Sequence, residues 1–138
     1  MASLPLPLPL GGVAGRRSLM SVWNLVDLLI RCIEHPSAPG LTPLAADDDD
    51  VALPDLVRML AEGMGKRPRL LNVPERILRL GASAVGMQDS FEKLAGTLQV
   101  DASETRRLLH WTPPMSLREG LTKTAKWYVE TRNSLAGI

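Results

Sequence analysis

Residues 101–121 read D-A-S-E-T-R-R-L-L-H-W-T-P-P-M-S-L-R-E-G-L, and this stretch holds two helix starts in succession. Asp101 and Glu104 have the spacing of a capping box, in which two side chains three residues apart satisfy each other's backbone N–H groups. Ser116 and Glu119 repeat it and put Leu117, Leu121, Thr124 and Tyr128 on one face of the second helix. Pro113-Pro114 separates the two helices. His110 stands where the first should end, a place usually given to Gly or Asn because the chain turns left-handed there. Histidine tolerates that conformation better than most residues. Trp111 and the pair Trp127-Tyr128 are expected to pack these last two helices together.

Working outward, short strand-like runs alternate with longer helical ones. Pro74 opens a helix through Ile77 and Leu78, a second short helix covers Ser90–Ala95, and Thr97–Val100 reads as strand. Further back, Pro54 suits a first helical turn, and Leu56, Met59 and Leu60 carry a stripe to Gly63 or Gly65. Arg69–Val73 reads as extended. Leu25, Leu28, Leu29 and Cys32 form another helical stripe that ends before His35-Pro36, flanked by strand-like Ser18–Val22 and Leu41–Ala46. In Met1–Leu10, prolines at 5, 7 and 9 remove donors from one edge only, so an edge strand or extended arm fits, with Leu4, Leu6, Leu8 and Leu10 donating on the other. The class is therefore α/β, a small mixed domain of several helices with short strands.

The chain has 138 residues, enough for one domain with its own core. Cys32 is the single cysteine, which excludes an internal disulfide framework and a multi-cysteine metal site. A net charge of +1 gives no overall field to gather nucleic acid or an anionic membrane, and no apolar run is long enough for a membrane span. The charge is uneven: residues 1–65 hold four Lys/Arg and eight Asp/Glu, and residues 66–138 hold twelve and seven. His35 and His110 have no neighbouring ligands in sequence and read as structural. Asp47–Asp50 lacks the turn glycine and oxygen count of a calcium loop and reads as a solvated acidic loop. Arg16-Arg17, between a Gly-bearing loop and a strand, is the one pair suited to clamp a phosphate through parallel N–H bonds. No dinucleotide-binding or P-loop glycine pattern occurs, and Tyr128, the sole tyrosine, has no Lys a helical turn later.

In order, R-R-S-L-M-S-V-W-N-L-V-D (16–27), the 101–121 stretch and Trp127-Tyr128 resemble the C-terminal part of extended short-chain dehydrogenase/reductases, the NAD-dependent epimerase/dehydratase family. The subgroup it looks like is the UDP-glucose 4-epimerase-like one of bacterial surface-polysaccharide synthesis. The resemblance implies a C-terminal substrate domain lacking its Rossmann domain, with residues 1–138 as one sugar-nucleotide-binding domain. Within it, 1–15 would be an extended arm or edge strand, 16–131 the globular part and 132–138 a tail. It implies no catalytic residue in this chain, no metal, and NAD bound by the missing N-terminal Rossmann domain rather than here.

By the same resemblance, Arg17 falls on the arginine that contacts the nucleotide diphosphate, and Leu10 and Gly11 fall where the backbone passes the nucleobase. Lys93 is the cation nearest to the place of a second diphosphate arginine, where Ser90 and Phe91 stand. Ser18, Ser21 and Asn24 replace the signature's Asp, His and Asp, and His110 replaces a Gly. The expected partners are a UDP-sugar or similar sugar diphosphate and the Rossmann domain, in the cytoplasm. A homodimer of the fragment through Leu4–Leu10 is a further expectation. A 4-keto-sugar-nucleotide reductase of the same fold, or a stand-alone interaction module, are the alternatives.

Overall fold

A computed structural model describes residues 7–136. Leu4 and Leu6 of the expected arm lie outside the described residues. The described chain runs β1 (Arg16–Arg17), α1 (Val22–Glu34), β2 (Val51–Ala52), α2 (Leu53–Gly63), α3 (Glu75–Ala84), α4 (Gln88–Ala95), α5 (Ser103–Leu109) and α6 (Leu117–Ala136). It is the small mixed domain the sequence predicts. β1 and β2 pair antiparallel, Arg16 opposite Ala52 and Arg17 opposite Val51. Isolated parallel bridges join Leu8 to Leu70, Gly12 to Pro74 and Arg17 to Leu98. The Leu8 N–H donates to Arg69 O and its carbonyl accepts from the Leu71 N–H, so the proline-spaced segment pairs at Leu8 with the extended stretch after α2.

Two small cores hold these pieces. Val13, Leu53 and Ala95 form one, with Leu10, Leu56, Leu78 and Phe91 packed against it. Leu28, Leu109 and Trp111 form the other, with Met20 and Cys32 at its border. Helices α2 and α6 lie against each other through small residues, since a Cβ on Gly63 would come within 2.7 Å of the Ala125 methyl.

The helix ends follow local chemistry. Ser116 accepts from the Glu119 N–H at 3.3 Å while the Glu119 carboxylate accepts from the Ser116 N–H at 2.9 Å, a complete capping box. His35 closes α1, and His110 closes α5 in the left-handed conformation, φ 45°. Pro74 precedes α3 and Pro54 lies in the first turn of α2, as read.

Five expectations are corrected. Ser18–Val22 is not a strand: the ladder residues are Arg16 and Arg17, and the Ser21 side chain caps α1. Leu41–Ala46 forms no strand either; Leu41 and Leu44 are exposed. The Asp101 carboxylate accepts from the Ser103 N–H, but Ala102 holds the cap position of α5 and Glu104 instead faces Arg107. Trp111 packs on α1, its Nε1 donating to Asp27 Oδ2 at 2.7 Å, while Trp127 and Tyr128 stay at least half exposed. The Leu121–Thr124 side of α6 lines a surface groove rather than the core.

Candidate functional site

Successive strand residues point to opposite faces, so β1 sends its two arginines apart. Arg16 Nη2 donates to the Asp50 carbonyl at 2.7 Å. Arg17 Nη2 donates to the carbonyls of Lys93 and Leu94, the latter at 2.9 Å. Those carbonyls belong to the last turn of α4, the negative end of its dipole, which suits a guanidinium. Gly15 permits the approach: a Cβ there would sit 1.9 Å from Ala95 O. Among the described residues, Arg17 Nε and Nη1 make no hydrogen bond, but Nη2, which both parallel edges of the guanidinium share, is taken by the two carbonyls, so single N–H donors rather than a whole fork are left for a ligand.

Arg17 and Lys93, singled out separately, are therefore neighbours, with the arginine resting on the lysine's own carbonyl. Leu10 packs on the core that also contains Ala95 and Phe91 of α4. Gly11 donates its N–H to Leu71 O at 2.9 Å. The glycine pair is no cofactor cradle. A Cβ on Gly11 would lie 2.8 Å from Leu71 O and one on Gly12 only 2.1 Å from Val73 O, so neighbouring backbone fills the space a dinucleotide phosphate would need. A strand, not a helix, follows. These two glycines do not fit a dinucleotide phosphate.

The acidic run is a solvated loop only in part: Asp48 and Asp49 are exposed, but its first residue departs from that expectation. Asp47 is buried and accepts from the Ser21 N–H at 3.1 Å and from Asn24 Nδ2 at 2.7 Å. Asn24, fully buried, also donates to Met115 O at 2.8 Å and accepts from the Met115 N–H at 3.1 Å. Asp48 pairs with Arg106 at 2.6 Å. Asp50 accepts from the Ser18 hydroxyl and from Gln99 Nε2, and Ser18 accepts in turn from the Val100 N–H at 2.8 Å. Ser18, Ser21 and Asn24 are the three positions where the 16–27 stretch departs from the family signature. Each holds the acidic loop. Ser18 and Asn24 do so through their side chains, Ser21 through its backbone N–H. Sequence reasoning missed this because nothing local pairs residues 18–24 with 47–50.

The hydroxyl of Ser18 does most to hold the Asp50 carboxyl below its ordinary 3.8, with Gln99 next and Arg16 adding a smaller pull against burial. A lowered folded pKa stabilises fully above the unfolded value and fades as pH falls through the folded one. Asp101 and Glu119, bonded to Ser103 and Ser116, move the same way. Stability should therefore be lost below about pH 4. Asp50→Asn should lose less on acidification than the parent chain, measured as urea midpoints along an acid series. Parallel curves would show that Asp50 contributes nothing to the acid transition.

A second, apolar feature lies apart from the arginines. A groove of about 530 Å³ runs between the start of α1 and α6, lined by Met20, Val22, Trp23, Leu121 and Trp127 among others. None of Leu10, Gly11, Arg17 and Lys93 touches it. It continues onto α1, whose Val22, Val26, Leu29 and Ile33 form an exposed stripe, Ile33 at 85%. The expected stripe of Leu25, Leu28, Leu29 and Cys32 is thus divided: Leu28 and Cys32 face the core, and Leu25 and Leu29 face outward.

No protein-family profile matches the chain, and no solved structure matches it. The chain is 40% identical over 134 residues to the UDP-glucose 4-epimerase of Vibrio cholerae. The matched region is 96% of this chain and 41% of that protein, so the chain spans less than half the length of its relative. This similarity bears out the resemblance read from the motifs. Among the described residues, no helix is long and apolar enough to cross a membrane, and no group of three His, Cys, Asp or Glu is placed to hold a metal.

Proposed function

We propose that this chain is the sugar-nucleotide-binding part of an NAD-dependent UDP-sugar epimerase acting in surface-polysaccharide synthesis. The observation that carries the reading is the 40% identity to the Vibrio cholerae enzyme along nearly the whole chain. Arg17 supports it. Its guanidinium is held by the end of α4 through Nη2, leaving its charge and the Nε and Nη1 donors for diphosphate oxygens, and Lys93 stands one carbonyl away as a point charge. Leu10 and Gly11 flank the base along the same wall. A diphosphate clamped remotely in this way contributes orientation to a reaction at the sugar while leaving the sugar free to turn.

The redox step at the sugar requires NAD, which belongs to a dinucleotide-binding part that this chain does not supply. That part would cover the α1 stripe and the adjoining groove. The relative has more than half its length outside the matched region, and the stripe is apolar enough to demand a cover. The test has two arms. Calorimetry of the isolated chain with NAD should show no saturable binding at micromolar concentration, and no epimerisation should be seen. Fusing the unmatched portion of the Vibrio cholerae enzyme ahead of this chain should give a protein that epimerises UDP-glucose. NAD binding by the chain alone, or a folded fusion without activity, would sink the proposal.

A further inference from the structure

The basic excess of the second half is concentrated in one exposed stretch that the site above does not use. Residues 66–87 carry Lys66, Arg67, Arg69, Arg76 and Arg79 against the single acid Glu75, and all five cations are exposed. Arg79 is paired with Glu75 at 2.9 Å, and the other four make no ion pair among the described residues. The extended segment alternates as a strand should: Pro68 and Leu70 are half-buried, while Arg67, Arg69 and Leu71 are exposed.

The chain then enters α3, which is apolar on two sides. Leu78 packs on the core and Ala82 is half-buried beside it. On the opposite side Ile77 is 60% exposed and Leu80 74%. Val85 and Met87 continue the apolar surface around the turn into α4, which Gly86 makes at φ 71°. Core packing accounts for the first side of α3 and leaves the second unexplained.

We propose that this surface docks onto an anionic lipid membrane, with Ile77, Leu80, Val85 and Met87 entering the headgroup boundary and Arg67, Arg69 and Arg76 meeting lipid phosphates. Charge decides the occupant. The exposed face of α1 is equally apolar, but its helix carries Asp27 and Glu34 against Arg31, and the acidic loop packs beside it. The 66–87 stretch combines exposed apolar side chains with four cations that make no ion pair among the described residues, the pattern of an interfacial segment. Attachment is peripheral. The inference stands apart from the proposed sugar-nucleotide site, and either can fail alone.

The test is flotation of the whole chain with vesicles of phosphatidylcholine, or of phosphatidylcholine and phosphatidylglycerol in equal parts. Each Lys/Arg near an anionic surface is worth about fivefold in partitioning, so the anionic vesicles should bind at least about tenfold better and release the chain in high salt. Leu80→Ser should cut binding about tenfold, and the pair Arg67→Gln with Arg69→Gln about twenty-five-fold, without changing the melting temperature. Ile33→Ser, on α1, should leave it unchanged. Equal binding to both vesicle types, no binding, or damage by Ile33→Ser as large as by Leu80→Ser would overturn the proposal. So would a dimer in light scattering that Leu80→Ser abolishes, since a second copy would then cover this face.

Discussion

Asn24→Leu should cost about 3–5 kcal/mol of folding stability, the range for breaking a buried polar network and leaving a charge inside. Asn24 is fully buried and makes three bonds, to the Asp47 carboxylate and to both backbone groups of Met115. A leucine fills similar space but leaves a buried carboxylate, an N–H and a C=O without their partner, and each such loss carries a desolvation cost. For a chain of this size the melting temperature should fall by roughly 10–20 °C. Asn24→Asp should be as bad, although the family signature has Asp there. In this chain it would set two carboxylates against each other and remove the amide donors. Replacing both Asn24 and Asp47 by Leu should recover part of the loss, because the stranded charge goes too. A melting temperature within a few degrees of the parent for Asn24→Leu would show that the network carries little.

Arg17→Ala, made in the fusion with the Vibrio cholerae portion, should weaken UDP-glucose binding about ten- to a hundred-fold, the worth of one charge-assisted contact. The same change should lower stability only modestly, by about 1 kcal/mol, because it removes two partly exposed bonds to the end of α4. Arg17→Lys should keep the charge and some of the hold on the helix but lose the fork, recovering part of the affinity. Arg16→Ala is the control: its guanidinium points to the other face, at the Asp50 carbonyl. Substrate affinity and melting temperature of all three variants decide the matter. Normal binding by Arg17→Ala, or greater damage from Arg16→Ala, would refute the assignment. A fall in stability far larger than that in affinity would make Arg17 a structural clamp instead.

What could be read from the residues alone was local. The Ser116–Glu119 capping box, the left-handed His110, Pro54 in the first turn of α2 and Pro74 before α3 depend on neighbours within four positions, and they appear as expected. The burial of Asp47 was not legible, because its partners Ser21 and Asn24 lie more than twenty residues back. Periodicity found α1 but not which side of it faces the core. Helical spacing says that a side is apolar, not whether anything in the same chain covers it. At the candidate site, the place of the arginine pair between a glycine-bearing loop and the next element was legible, but neither its splitting between two faces nor the end of α4 that holds Arg17 was.

The bonds between Asn24 and Met115 join positions 91 residues apart, and β1 is bridged to Leu98 across the same divide. On a ribosome adding about 5–20 residues per second, Asn24 waits roughly 5–20 s before its partner exists. Through that interval Asp47 and the apolar side of α1 have no finished shelter, and no local contact can substitute for the late one. Folding of this chain is therefore gated by its last third, and a nascent chain stalled before residue 115 should depend on chaperones while a completed one does not.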